Sequence, residues 1–253
     1  MSQEEADKLI DTEPKAKKYI KRFMMGNEFL NDIPRYCLWL VGISPKELRS
    51  MPLVLKHVEK CRENRLSGAA DRQKLAATPH LFRETRNPDN FIAIPVVSSE
   101  RRAYIPMDYL SSDVIAGNKL FILPDATKYD FGILESIVHM SWMRMVAGRL
   151  ETRYSYSKTL VYNDFSWPNV NKMQRDRITE TAQSILDARK LYPDSSLADL
   201  YDPLTMPIEL RKAHEANDKA VLQAYGLKPS ATEAEIVQHL FKMYEKLTAK
   251  DDK

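Results

Sequence analysis

Prolines 95, 106 and 124 interrupt or end three short runs rich in apolar residues, FIAIPVV, AYIPM and KLFIL. Proline has no N–H to give to a β ladder, so each run predicts a short strand favoured at a sheet edge, and no large sheet grows from them. From Tyr129 the period changes: Ile133, Ile137, Met140, Arg144 and Met145 spread over an apolar segment that predicts one long helix, 129–146, stopped by Gly148. The polar segment RLETRYSYS that follows is expected as a loop hanging on that helix. Short strands beside helices give an α+β region with a small mixed or antiparallel sheet.

On the N-terminal side, Ser44, Pro45 and Glu47 form a capping-box start with proline at the first helical position, and Pro52 forces a break before LVLKHVEKCRENRL, whose Leu55, Val58 and Leu66 are expected to face inward. Residues 1–32 are a charged lead containing KAKKYIKRF, without a core of its own, and read as a helical linker from something larger. Beyond Pro168 the composition shifts to three amphipathic segments, ITETAQSILDARKLY, PIELRKAHEANDKAVLQAY and ATEAEIVQHLFKMYEKL, with Gly226 as a helix stop and Ser230 with Glu233 as a capping box. The expected organisation is therefore a linker, 1–32, an α+β domain, 33–168, and an all-α domain, 169–253. At 253 residues and 43% hydrophobic content the chain can bury a sizeable core.

Several function classes drop out. No apolar run approaches the ~20 residues that span a bilayer, and the acidic start MSQEEADK is unlike a signal peptide. Cys37 and Cys61 have no second pair to build a zinc site or a disulfide framework, which suits a reducing cytoplasm. His57, His80, His139, His214 and His239 are scattered, with no HxxxH spacing and no neighbouring Cys ligand. Neither GxGxxG, GxxxxGK(S/T) nor GxSxG occurs. The Pro-Pro-aromatic segment with which amino-methyltransferases grip a flipped base is missing, NPDN and DPLT being the nearest strings, and no nuclease pattern is convincing. The segment itself is expected to be non-catalytic, with no metal and no cofactor of its own.

What remains is binding. Residues 31–168 hold 19 basic and 15 acidic side chains, whereas residues 169–253 hold 13 and 14, so the positive excess lies in the strand-rich region. Four net charges are modest for a polyanion binder. The residue types say more. From Phe91 to Pro168, Arg, Lys, Glu, Asn and Ser stand among Tyr and Trp at strand and loop ends, which is the chemistry that base edges and phosphates require. Glu151 and Arg153 are two apart, so in an extended segment both point the same way. A carboxylate can accept from the cytosine amino group and a guanidinium can bond guanine O6 and N7, so the pair could read both halves of a C·G pair; the competing reading is a surface ion pair. Trp142, Trp167 and Phe131 read as core.

The strings GNEFLNDIPRYCLWL, GRLETRYSYS, SLADLYDPLTMP and LRKAHEANDKAV closely resemble the target recognition domain of MmeI-like type II restriction-modification DNA methyltransferases, and the likeness covers most of the chain. The resemblance implies that this is the target recognition segment and C-terminal helical domain of a larger adenine-N6 methyltransferase, perhaps joined to an endonuclease. It implies duplex DNA and the methyltransferase domain of the same polypeptide as partners, with S-adenosylmethionine as the parent's cofactor. In that family the positions matching Glu151 and Arg153 determine the base read near one end of the site. Lys119 with Ser155 matches a second pair that varies with specificity, and Val96 with Asn118 a third. Lysine can donate to guanine, valine can touch a thymine methyl, and asparagine can bond adenine or close a Gly-Asn turn. Ser98, Ser99, Arg101, Arg102, Tyr154, Tyr156 and Lys158 fit phosphate contacts. The competing function is a helical protein-interaction module of a DNA-defence complex, which salt dependence separates from DNA binding.

Overall fold

The computed structural model describes residues 1–251. In chain order its first half carries α1 (Gln3–Thr12), β1 (Ile20–Met24), α2 (Gly26–Asn31), β2 (Tyr36–Leu38), α3 (Pro45–Arg49), α4 (Pro52–Leu66) and α5 (Ala70–Gln73). Then come β3 (Asn90–Pro95), β4 (Val97–Ser98), β5 (Asp108–Ser111), β6 (Val114–Ala116) and β7 (Leu120–Pro124), followed by α6 (Lys128–Leu134) and α7 (Ile137–Val146). β8 (Gly148–Leu150), β9 (Arg153–Ser155), a π-helical turn (Lys158–Asn163), α8 (Lys172–Lys190), α9 (Leu197–Leu200), α10 (Ile208–Ala224) and α11 (Glu233–Asp251) complete it. Contacts divide the chain into two units, one of residues 1–24, 33–89 and 111–117, the other of residues 25–32, 90–110 and 118 onward.

In the first unit β1 lies between antiparallel β2 and parallel β6. Leu9 and Ala16 of the lead are buried with Leu40, Met51, Val54 and Val58, so these first residues pack into a core shared with the segment after them. Ser44 caps α3 by accepting the Glu47 N–H at 3.1 Å, but the Glu47 carboxylate turns to Lys18, 2.5 Å away, instead of completing the box. Along α4 the inward stripe is set by Val54 and Val58; Leu55 is half-buried and Leu66 exposed. Eight residues past Val58 the helix has turned about 80° off that stripe. Both cysteines are free and half-buried, and burial pushes the Cys37 thiol up to about 11.

The second unit is α+β. β3 is the middle strand of a sheet ordered β5-β3-β7, paired antiparallel with β7 from Phe91 opposite Pro124 to Pro95 opposite Leu120. β7, which ends at Pro124, is an edge strand as expected, whereas β3 is central; there Pro95 is the last residue, where the missing N–H costs little. The run AYIPM is not a strand. Tyr104, Ile105 and Met107 are buried in irregular chain, and the Met107 N–H goes to the Glu135 carboxylate at 2.7 Å rather than to a ladder, so β5 starts only at Asp108. The long helix expected over 129–146 is two helices. Glu135 leaves the helical path, and the Ser136 hydroxyl caps α7 by accepting the His139 N–H. Gly148 opens β8 and stops nothing.

The C-terminal helices stack on this layer. α8 packs between α6 and α10, and α11 lies along α7. Ile178, Ile185, Leu210, Val221, Ile236 and Leu240 are all sealed there. Gly226 ends α10 with φ +70°, as the sequence predicts. The cap of α11 falls two residues later than expected: Thr232 and Glu235 exchange backbone and side-chain bonds in place of Ser230 and Glu233.

Candidate nucleic-acid interface

The segment expected as a loop, RLETRYSYS, is a β-hairpin. β8 and β9 pair with Leu150 opposite Arg153, Arg149 opposite Tyr154 and Gly148 opposite Ser155, and β9 continues to β4 with Ser155 opposite Val97 and Tyr154 opposite Ser98. Residues directly across a strand pair share a face and neighbours along a strand alternate. One face is therefore Arg149, Tyr154 and Ser98. Tyr154 and Ser98 are buried, and the Arg149 guanidinium covers the Tyr154 ring at 3.8 Å from its centroid. The opposite face presents Leu150, Arg153, Ser155, Gly148 and Val97, of which Leu150, Arg153 and Gly148 are exposed.

Glu151 and Thr152 form the two-residue turn, and Glu151 holds φ +58°, a left-handed conformation that suits glycine better. Its carboxylate accepts a 2.7 Å bond from the Arg153 guanidinium in solvent. The two side chains do converge, but through the turn and an ion pair rather than by simple two-residue alternation.

Two backbone bonds tie the other expected positions to this hairpin. The Val96 N–H donates to the Lys119 carbonyl at 3.1 Å, and the Val96 carbonyl accepts from the Tyr156 N–H at 2.8 Å. Lys119 and Tyr156 thus flank Val96, while Ser155 stands one residue along, opposite Val97. Asn118 and Lys119 occupy the exposed turn that leads into β7. The six candidate base readers lie on adjoining turns and strands that form a rim, Asn118, Lys119, Glu151 and Arg153 exposed on it and Val96 and Ser155 half-buried.

The seven candidate phosphate contacts divide. Ser99 closes a turn, its hydroxyl accepting the Arg101 N–H at 3.2 Å and its carbonyl the Arg102 N–H at 3.3 Å, which leaves Arg101 in solvent. Arg102 is half-buried, its pKa lowered by burial against the pull of Asp202. Lys158 is exposed at the first position of the π-helical turn. Ser98, Tyr154 and Tyr156 are corrections. Ser98 and Tyr154 lie on the inward face, and the Tyr156 hydroxyl is engaged by His139 Nε2 at 2.9 Å inside the core, so these three support the sheet instead of meeting a ligand.

Beneath the rim lies a polar network that sequence patterns did not reveal. Arg189 donates to the Met107 carbonyl at 2.6 Å, to Glu135 at 2.9 Å and to the Tyr201 hydroxyl, which meets His214 Nε2 at 2.8 Å. The Tyr104 ring stacks on His214 at 4.0 Å, and its hydroxyl bonds Asp218 at 2.6 Å. These contacts bind the irregular 104–107 segment to α8 and α10. Trp142 and Phe131 are buried as expected, and Trp167 is half-buried among Phe165, Tyr129 and Tyr162.

Residues 1–169 match the family described as MmeI, target recognition domain, and residues 170–250 match MmeI, C-terminal domain; the chain belongs to this family. DNA methyltransferase A of Bacillus subtilis (strain 168) is 40% identical over 241 residues, 94% of this chain and 27% of that protein. The solved type IIL restriction-modification enzyme MmeI in complex with DNA superposes with a TM-score of 0.95 at 45% identity, covering 98% of this chain and 34% of the enzyme. The chain thus spans about a third or less of the relatives it matches. Among the described residues no helix is long and apolar enough to cross a membrane.

Proposed function

We propose that this chain is the sequence-reading segment of a larger S-adenosylmethionine-dependent adenine-N6 DNA methyltransferase of a restriction-modification system. It holds duplex DNA so that one adenine is positioned for flipping into a pocket on the rest of that polypeptide. Glu151 and Arg153 read a C·G pair, Lys119 with Ser155 a guanine, and Val96 with Asn118 a third pair. Ser99, Arg101, Arg102 and Lys158 hold phosphates. Cofactor and chemistry belong to the rest of the parent, since no glycine-rich nucleotide turn or Pro-Pro-aromatic motif stands in this sequence.

The observation that carries the reading is the connected rim. Lys119 bonds Val96, whose carbonyl meets Tyr156 next to Ser155, and Ser155 lies on the strand that carries Arg153, so the candidate readers adjoin one another. Each wrong pair is expected to cost ~1–3 kcal/mol. The test is a double substitution, Glu151→Lys with Arg153→Asp, assayed for binding against duplex libraries at low ionic strength. Preference at one position should invert from C to G with the rest of the site retained. A double variant with the parental preference removes the assignment.

A further inference from the structure

We propose that Leu150 is a further specificity-determining residue, which reads the 5-methyl group of a thymine beside the pair read by Glu151 and Arg153. The inference rests on the base-reading role proposed above. The register puts Leu150 directly across from Arg153 on one face of the hairpin, while Arg149 before it lies over the Tyr154 ring on the other face. Side chains directly opposite in an antiparallel pair have Cβ atoms about 4.5–5.5 Å apart. Leu150 therefore stands little more than one base step from its partner, with 49% of its surface exposed. Gly148, next along the same face, adds no side chain, and a Cβ there would meet only Ser155, at 3.9 Å, so the approach beside Leu150 is open. An aliphatic side chain has no donor or acceptor for a base edge. In a major groove the matching apolar group is the thymine methyl.

The experiment uses the chain with its preferred duplex at low ionic strength, each thymine replaced singly by uracil, which lacks only that methyl. Wild type should lose about fourfold in affinity at one thymine next to the C·G pair, the worth of one buried methyl-sized group. Leu150→Ala should bind thymine and uracil equally there and keep its C·G preference, while Leu150→Met should retain the thymine effect. Equal thymine-to-uracil ratios in wild type and Leu150→Ala at every position overturn the proposal while base reading stands. A wild-type chain with no sequence preference at all overturns base reading and this inference together. A thymine effect that Leu150→Ala leaves untouched belongs to another side chain, such as Val96.

Discussion

At the scale of single residues, Glu151 combines two roles that can be separated. Its left-handed φ of +58° strains an L-residue, at a cost of roughly 1–2 kcal/mol, while the ion pair to Arg153 is solvent-exposed and returns about 0–1 kcal/mol. Glu151→Gly relieves the strain but frees the unfolded chain by roughly 0.5–1 kcal/mol, so the terms nearly cancel. The variant should melt with a stability within about 1 kcal/mol of wild type yet discriminate C·G from G·C far less. Thermal unfolding beside competitive duplex binding checks this. A large loss of stability would mean that the carboxylate holds the hairpin, and unchanged discrimination would mean that Arg153 reads alone. The same scale shows why some candidates failed as ligand contacts. Tyr154 and Tyr156 have the right chemistry for phosphate, but alternation along β9 turns Tyr154 inward, and Tyr156 is sealed against His139. Residue type alone carries no information about which face a side chain occupies.

Among the elements, the strands FIAIPVV and KLFIL and the three tail helices were legible, because their apolar content and period survive in the fold. The hairpin was not, since Glu151-Thr152 lacks the Asn-Gly or Asp-Gly signature of a two-residue turn. Nor was the break in the helix over 129–146, because Glu135 leaves the helical path to meet Arg189, 54 positions away in sequence, and long-range pairing leaves no local periodicity. The helix crossing at Gly132 was equally silent in sequence. A Cβ there would lie 2.7 Å from Ile178, 3.1 Å from Ala182 and 3.1 Å from Asn217, while Asn217 also donates to the Gly132 carbonyl at 2.7 Å. Gly132→Ala is therefore expected to destabilise by about 1–3 kcal/mol through overpacking, although alanine is the better helix former. Urea unfolding measures it. A neutral or stabilising result would show that α6 and α8 can part without loss. Because neither Gly132 nor the residues it meets are among the proposed readers, the variant should keep its order of base preferences wherever it remains folded.

For the whole molecule, three sealed titratable groups and the half-buried Asp218 shape the response to acid. Burial pushes Glu135 up to about 7 and Asp218 to about 6, and it holds His139 down at about 3 and His214 well below its ordinary value. The two pairs act with opposite sign. Each carboxyl keeps in the fold a proton that the unfolded chain releases, so its contribution is present at low pH and fades as pH rises from the unfolded value through the folded one. Each histidine lacks in the fold a proton that the unfolded chain takes up, so its contribution is present above about 6.5 and fades as pH falls toward the folded value. Between roughly pH 5 and 6 the pairs oppose each other two against two, and these groups leave stability nearly flat. His139→Gln removes one side of that balance while keeping a hydrogen-bonding partner for the Tyr156 hydroxyl, 2.9 Å from the imidazole. Relative to wild type, the variant should then lose about 1.4 kcal/mol as pH rises by one unit across that window, with no further relative change above pH 7.5. Urea unfolding of both proteins at pH 5, 5.5, 6 and 7.5 decides it, because the surface groups they share cancel in the difference. Parallel profiles would show that His139 takes up a proton inside the fold, and with that the sealed core beneath the rim would have to admit water.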